Sequence, residues 1–482
     1  MNSTILVSLL KHFTKDELKL FSKFLDSPYY NSNKAAISLF DEIRKFYPEF
    51  NSELLKKKSV YEKVFPGEKF NDVKLRKLIS DLNKLAEKFI SVENLTRDSN
   101  QVYNAFLNFK KDRHYFDNAG SYLDNWKNVL DISSAGKDDN YYYFKFCYES
   151  HESHISSFKP KVESSFKDRE LKSLTCYFAL EAMHIYCLNF IMSLAYGSSQ
   201  ENILLKEILA LDDNGFFSEE PLIHIYCELT RLFMTDIKSN RVLLYQIHKE
   251  LAETEKSIAN DEKISLYWII SQYLVLTSGK FVLPWYNDLK WYYFKKQIEL
   301  QIEIGEKFSW AAFVSIVNNG LTQKEFDWIN WFIGGYTHLI NYDNKNLLVS
   351  WAIAKVMYTK GEYVDSLKEL LLINSNLGYM KYNISSLTIM NYYELGNYNE
   401  LSYYLQSYGK YISKTDKLYD IGINKKIVVG FIKAVNLLVK LQYCSDPVQQ
   451  DAIKFKIEKI TQEKILSRSW VLEKLNEYNF AN

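Results

Sequence analysis

Glycine and proline are scarce. The 482-residue chain holds 16 Gly and seven Pro, about 5% together where average usage gives about 12%. A β-sandwich, a barrel or a doubly wound α/β enzyme sets Gly or Pro at most of its turns, and this chain cannot supply them, so mostly helical structure is expected. Cysteine is also sparse: Cys147, Cys176, Cys187, Cys227 and Cys444 form no C-x-x-C pair. An odd, scattered set reads as reduced thiols, and a cytoplasmic location is expected. The N-terminal stretch MNSTILVSLLKHF lacks a basic leader region, so it does not read as a secretory signal. No window reaches about 18 uncharged apolar residues, and no membrane partner is expected.

Catalytic motifs are missing too. There is no G-x-G-x-x-G and no G-x-S-x-G. Ser134-Ala135-Gly136-Lys137 is followed by Asp138, and no Gly sits five positions before Gly136, so it is not a phosphate loop. The expectation is a non-enzyme without a cofactor. Net charge is +1, from 60 basic and 59 acidic residues, so no overall pull toward nucleic acid or an anionic surface follows.

What is present is apolar and aromatic. Hydrophobic residues make up 47% and charged residues 25%, which excludes a largely disordered chain. Aromatics reach 16%, with 37 Tyr, 30 Phe and nine Trp. Residues 1–95 read as a helical N-terminal region. Thr14 followed by Glu17 is a capping-box pattern, and Asn71 is placed to cap a helix carrying Leu75, Leu78, Leu82, Leu85, Phe89 and Val92. A fourth helix is expected over 52–64. Residues 99–300 read as an irregular helical region, with breaks including 131–140, 197–202, 211–221 and 277–284. Residues 411–482 read as capping helices near 424–443 and 448–478.

Residues 301–410 carry the repeat signal. AIAKVMYTKGEYVDSLKEL (352–370) and LTIMNYYELGNYNELSYYL (387–405) align at a spacing of 35, matching Tyr358 with Tyr393, Gly361 with Gly396 and Tyr363 with Tyr398. Glycine suits the φ > 0 turn between two helices, and the aromatics fill the crevice between hairpins. A looser unit, 310–332, is expected to turn at Gly320. These residues resemble tetratricopeptide-like (TPR-like) α-solenoid repeats, whose period is about 34 residues. Ile389 stands where the pattern has a small residue. The early DSPYYN and the late WVLEKL are similar to uncharacterised bacterial helical proteins, a likeness that implies no activity. The resemblance implies an all-α, irregular solenoid of antiparallel hairpins that binds a protein or peptide along its A helices. Aligned on the repeat, the candidate groove residues are Trp351, Lys355, Tyr358, Ser386, Met390 and Tyr393, with inter-helix packing the competing reading for Tyr358 and Tyr393.

Other constellations compete with packing. His184-Ile-Tyr-Cys187 recurs as His224-Ile-Tyr-Cys227, 40 residues on. Two His and two Cys are a tetrahedral zinc set, but equivalent helices point like side chains in the same direction, so packing is preferred and no metal is expected. Glu149, His151, Glu152 and His154 lack the i, i+4 histidine spacing of a zinc protease and read as a solvated helix face. Residues 211–215 read as a turn, since Ala210 and Pro221 fall where a calcium loop needs carboxylates. Residues 56–88 hold ten basic against five acidic residues. Lys74, Arg76, Lys77, Lys84 and Lys88 lie on one expected helix, and a nucleic-acid-binding regulator is the alternative to a protein-binding scaffold.

Overall fold

The computed structural model describes residues 4–50, 55–133, 135–157, 165–196, 203–235, 240–277, 284–341, 345–373, 380–414 and 425–481. The chain is all-α. It divides into two compact units, 1–269 and 270–482. Ser134 and the expected break at 197–202 lie outside the described residues.

The first unit begins with α1 (Ile5–Leu10), α2 (Lys15–Asp26), α3 (Lys34–Arg44), α4 (Lys57–Val64) and α5 (Asp72–Arg97). The α2 capping box forms as expected. The Thr14 hydroxyl accepts from Glu17 N at 3.2 Å, and the Glu17 carboxylate accepts from Thr14 N at 2.7 Å, which satisfies two donors the first turn would otherwise expose. Asn71 caps α5 through Lys74 N at 3.0 Å. One apolar core joins these helices, with Phe21, Phe40, Phe89 and Leu82 inside it.

Next come α6 (Ser99–Asp112), α7 (Ala119–Ser133), α8 (Asp139–Ser156), α9 (Ser165–Tyr196), α10 (Ile203–Asp213), α11 (Pro221–Met234), α12 (Asn240–Thr254) and α13 (Asn260–Thr277), the last crossing the division between units. Helix α9 packs on α8 and α11 through Cys176, Ala179, Leu180, Met183 and Cys187. Buried Glu220, just before α11, accepts from Tyr142 Oη and from Lys137 Nζ, each at 2.7 Å, with Lys145 Nζ at 3.3 Å. Burial works to raise the pKa of that carboxyl, but the Lys137 hydrogen bond and the Lys145 charge hold it below the ordinary value.

The second unit holds α14 (Pro284–Glu303), α15 (Trp310–Thr322), α16 (Phe326–Tyr336), α17 (Lys345–Thr359), α18 (Tyr363–Leu371), α19 (Lys381–Glu394), α20 (Tyr398–Lys414), α21 (Lys425–Gln442), α22 (Pro447–Gln462) and α23 (Arg468–Ala481). Two short parallel strands, β1 (Phe308–Ser309) and β2 (Ile340–Asn341), pair in register Phe308 to Ile340. Gly361 and Gly396 sit at the α17–α18 and α19–α20 turns with φ of +84° and +70°, the left-handed region that penalises a Cβ. Helix α19 packs on both α17 and α18.

Two expectations are corrected. Gly320 is not a turn residue. It lies inside α15, where its missing side chain admits Ile329; a Cβ there would stand 2.7 Å from Ile329 Cγ1. The turn follows at Gln323–Glu325, with Lys324 at φ +59°. The expected helix over 448–478 is two helices. Ser467 takes φ +47°, and the chain folds back so that Leu466 N meets Ile427 O at 3.4 Å. That turn buries Ile465, whose Cγ2 lies where a Cβ on Gly430 would be only 2.6 Å away.

Candidate functional site

The expected groove residues are mostly interior. Trp351 is 2% exposed, and Met390 and Tyr393 are also buried. A buried side chain offers no surface to a peptide, so these three pack hairpins together and are corrected as contact residues. Tyr393 Oη accepts from Gln442 Nε2 at 2.9 Å, and its ring meets Trp470 edge-on at 5.3 Å. Tyr358 is half-buried and donates to Glu394 at 3.1 Å. Ser386 turns back onto its own helix, donating to Tyr382 O at 2.5 Å. Lys355 is the chemically distinct member. Its ammonium lies 5.3 Å from the Tyr358 ring centre, and burial pushes its pKa down to about 8.

The five basic candidates of α5 are exposed. Lys74, Lys77, Lys84 and Lys88 share an arc of about 80° at 3.6 residues per turn. Their charge is partly matched. Lys74 pairs with Glu68 at 2.7 Å, Arg76 Nε donates to Asp72 at 2.6 Å, and Asp81 lies within the same arc. This balance weakens the phosphate-tracking reading of the helix.

The repeated His-Ile-Tyr-Cys segments fall on α9 and α11, which pack together. His184 Nε2 meets Ser265 Oγ at 2.9 Å, and Cys187 Sγ lies 3.9 Å from Thr230 Oγ1. Among the described residues no three of His184, Cys187, His224 and Cys227 bring ligand atoms within 4.8 Å of one another. Burial pushes the Cys187 thiol up to about 12. The 149–154 segment is not the solvated face expected. His151 is buried against Trp126, and its Nε2 meets Asn104 Oδ1 at 3.0 Å. Burial lowers its pKa to about 4. Arg169 gathers Glu152 at 2.6 Å and Glu149 at 3.4 Å.

Two features went unnoticed in the sequence. The first is a cleft of about 380 Å³ beside α11 and α12, lined in part by Asp212, His224 and Glu250. The Asp212 carboxylate meets His224 Nδ1 at 2.9 Å, and that bond raises the His224 pKa. Asp212, His224 and Glu228 bring ligand atoms within 4.8 Å, the one such group among the described residues. The position is already held by a cation: Arg231 Nη1 lies 2.8 Å from Asp212 and 2.5 Å from Glu228. The geometry is that of an ion-pair cluster in which Arg231 bridges Asp212 and Glu228.

The second feature is the outward side of α9. Leu171, Phe178, Ile185 and Met192 recur every seven residues and are 64%, 45%, 53% and 51% exposed. Leu174 is exposed on the same side, and Glu181 interrupts the row. By length and composition Ser165–Leu194 is apolar enough to cross a membrane, with a third of its apolar window buried in the fold. Contiguous exposed apolar surface often marks an interaction site. The seven-residue recurrence was visible in the sequence; which side α8 and α11 leave open was not.

No protein-family description, no curated protein and no solved structure matches this chain.

Proposed function

We propose that the chain is a non-catalytic helical scaffold, an irregular solenoid of TPR-like hairpins, that binds another protein through the outer side of α9. The exposed seven-residue row on α9 carries this reading. A row from Leu171 to Met192 runs for about 31 Å at 1.5 Å per residue, and a seven-residue recurrence is the spacing into which the side chains of a second helix interlock. The partner is therefore an amphipathic helix of another protein, docked by its apolar face. The inner side of α9 belongs to the core, which supports a surface contact over a membrane span.

The test is a double variant, Phe178→Glu with Ile185→Glu, in the full chain. Both positions are exposed, so folding is unaffected by circular dichroism. A discrete partner captured by the native chain is purified, shown to bind in equal stoichiometry, and lost with the variant. Retained binding by the variant overturns the proposal. So does variant-sensitive sedimentation with lipid vesicles in place of protein binding, or variant-sensitive dimerisation of the chain itself.

A further inference from the structure

An open groove of about 390 Å³ runs between α21 and α22. Lys433 and Lys440, two turns apart on α21, face Lys456 and Lys459, one turn apart on α22, across a floor that includes Leu437 and Ile460. All four lysines are exposed. The ion pair seen on α22 joins Lys454 to Asp451 at 3.9 Å. Among the described residues none of the four groove lysines is paired with a carboxylate, and no acidic residue lines the groove. The imbalance is local to this hairpin: residues 425–464 hold eight Lys against four carboxylates in a chain of net charge +1.

Four like charges around one apolar floor repel one another, and an anion relieves that repulsion. The groove is open to solvent, and its volume admits a small ligand. A ligand of that size carrying several charges must concentrate them. Peptide carboxylates are spread along a backbone, whereas a di- or triphosphate group packs its charges within a few ångströms. Lysine binds phosphate as a compact point charge. We propose that the α21–α22 groove binds a di- or triphosphate group, free or borne by a nucleoside, with Lys433, Lys440, Lys456 and Lys459 as its counter-ions. This site is independent of the α9 surface.

The test is titration calorimetry on the full chain with inorganic triphosphate and with adenosine triphosphate, at low and at physiological salt. One-to-one binding that weakens with salt is expected. The double variant Lys433→Gln with Lys459→Gln lowers affinity at least about tenfold, while Lys433→Arg with Lys459→Arg retains it. The α5 variant Lys77→Gln with Lys84→Gln, which removes the same charge elsewhere, leaves it unchanged. Tighter binding of the nucleoside form assigns the floor of Leu437 and Ile460 to the nucleoside; equal affinity assigns the free phosphate; both support the site. No saturable binding up to about 5 mM, a weakness beyond the usual range for specific ligands, overturns it. Equal loss in the α5 variant, or binding of single-stranded RNA without triphosphate binding, does the same.

Discussion

The carboxylate of Glu394 accepts a hydrogen bond from the indole of Trp470 at 2.7 Å, although 76 residues separate them. Glu394 closes α19 at the second glycine turn, and Trp470 lies in the first turn of α23. The same carboxylate takes the Tyr358 hydroxyl at 3.1 Å and the Lys474 ammonium at 3.1 Å. One acceptor thus ties both glycine-turn hairpins to the last helix. Its surroundings are largely dry, since Trp470 and Lys474 are buried.

Glu394→Ala therefore removes more than one bond. It leaves the Tyr358 hydroxyl, the Trp470 indole and a buried ammonium without their shared acceptor. Stranding buried donors costs about 1–3 kcal/mol each at most, and breaking a buried ion pair about 3–5. Lys474 keeps Glu477 at 2.9 Å, which limits the loss. The expected destabilisation is about 3 kcal/mol, read as a lower urea midpoint for the second unit by circular dichroism. Glu394→Gln keeps an acceptor of similar shape and costs less. Equal losses for the two variants would show that charge alone, not the shared acceptor, matters here.

How much of this was legible in the sequence depended on how local its cause was. The Thr14 capping box, the Asn71 cap and the φ > 0 glycines at 361 and 396 each have their cause within three or four residues, and each formed where expected. Gly320 has its cause in Ile329 across a helical hairpin, and the break at Ser467 has its cause in the burial of Ile465 near Gly430. Neither long-range contact leaves a local mark. The same holds for function. Trp351 and Met390 carried the right spacing for a groove, but spacing on a helix does not say which side its neighbours cover. The α9 row and the groove lysines sit at regular helical intervals, yet only packing reveals that the first is uncovered and that the second converges with a second helix.

Lys355 carries an unusual cost. Burial brings its pKa down from 10.5 to about 8, and its ammonium has an aromatic ring beside it. Between pH 8 and 10.5 the unfolded chain binds the proton that the folded chain has lost, so stability from this group rises with pH across that window and is lowest below it. Lys355→Met removes the charged head and keeps the apolar stem. It is expected to stabilise the protein by about 1–3 kcal/mol at pH 7, with the gain vanishing near pH 10.5. Urea denaturation of both chains at pH 7 and pH 10 measures it. A loss of stability at pH 7 would mean that the ammonium is satisfied in the fold.

The opposite sign holds at Glu262. This buried carboxyl accepts a hydrogen bond from the Tyr226 hydroxyl. Burial is the main cause that raises its pKa from 4.5 to about 7, and the charges of Asp139, Asp138 and Glu181 add to it against the lowering effect of Tyr226. Between pH 4.5 and 7 the folded chain holds a proton that the unfolded chain releases. Stability therefore falls as pH rises through that window, by about 3 kcal/mol in all, and the loss persists above it. Glu262→Gln keeps an acceptor for Tyr226 and cannot ionise. It is expected to match the native chain near pH 4.5 and to exceed it by about 3 kcal/mol at pH 8. Thermal or urea unfolding across that range reads the difference directly. A constant offset between the two chains at every pH would assign the carboxyl an ordinary, solvated titration and remove the physical basis for this slope.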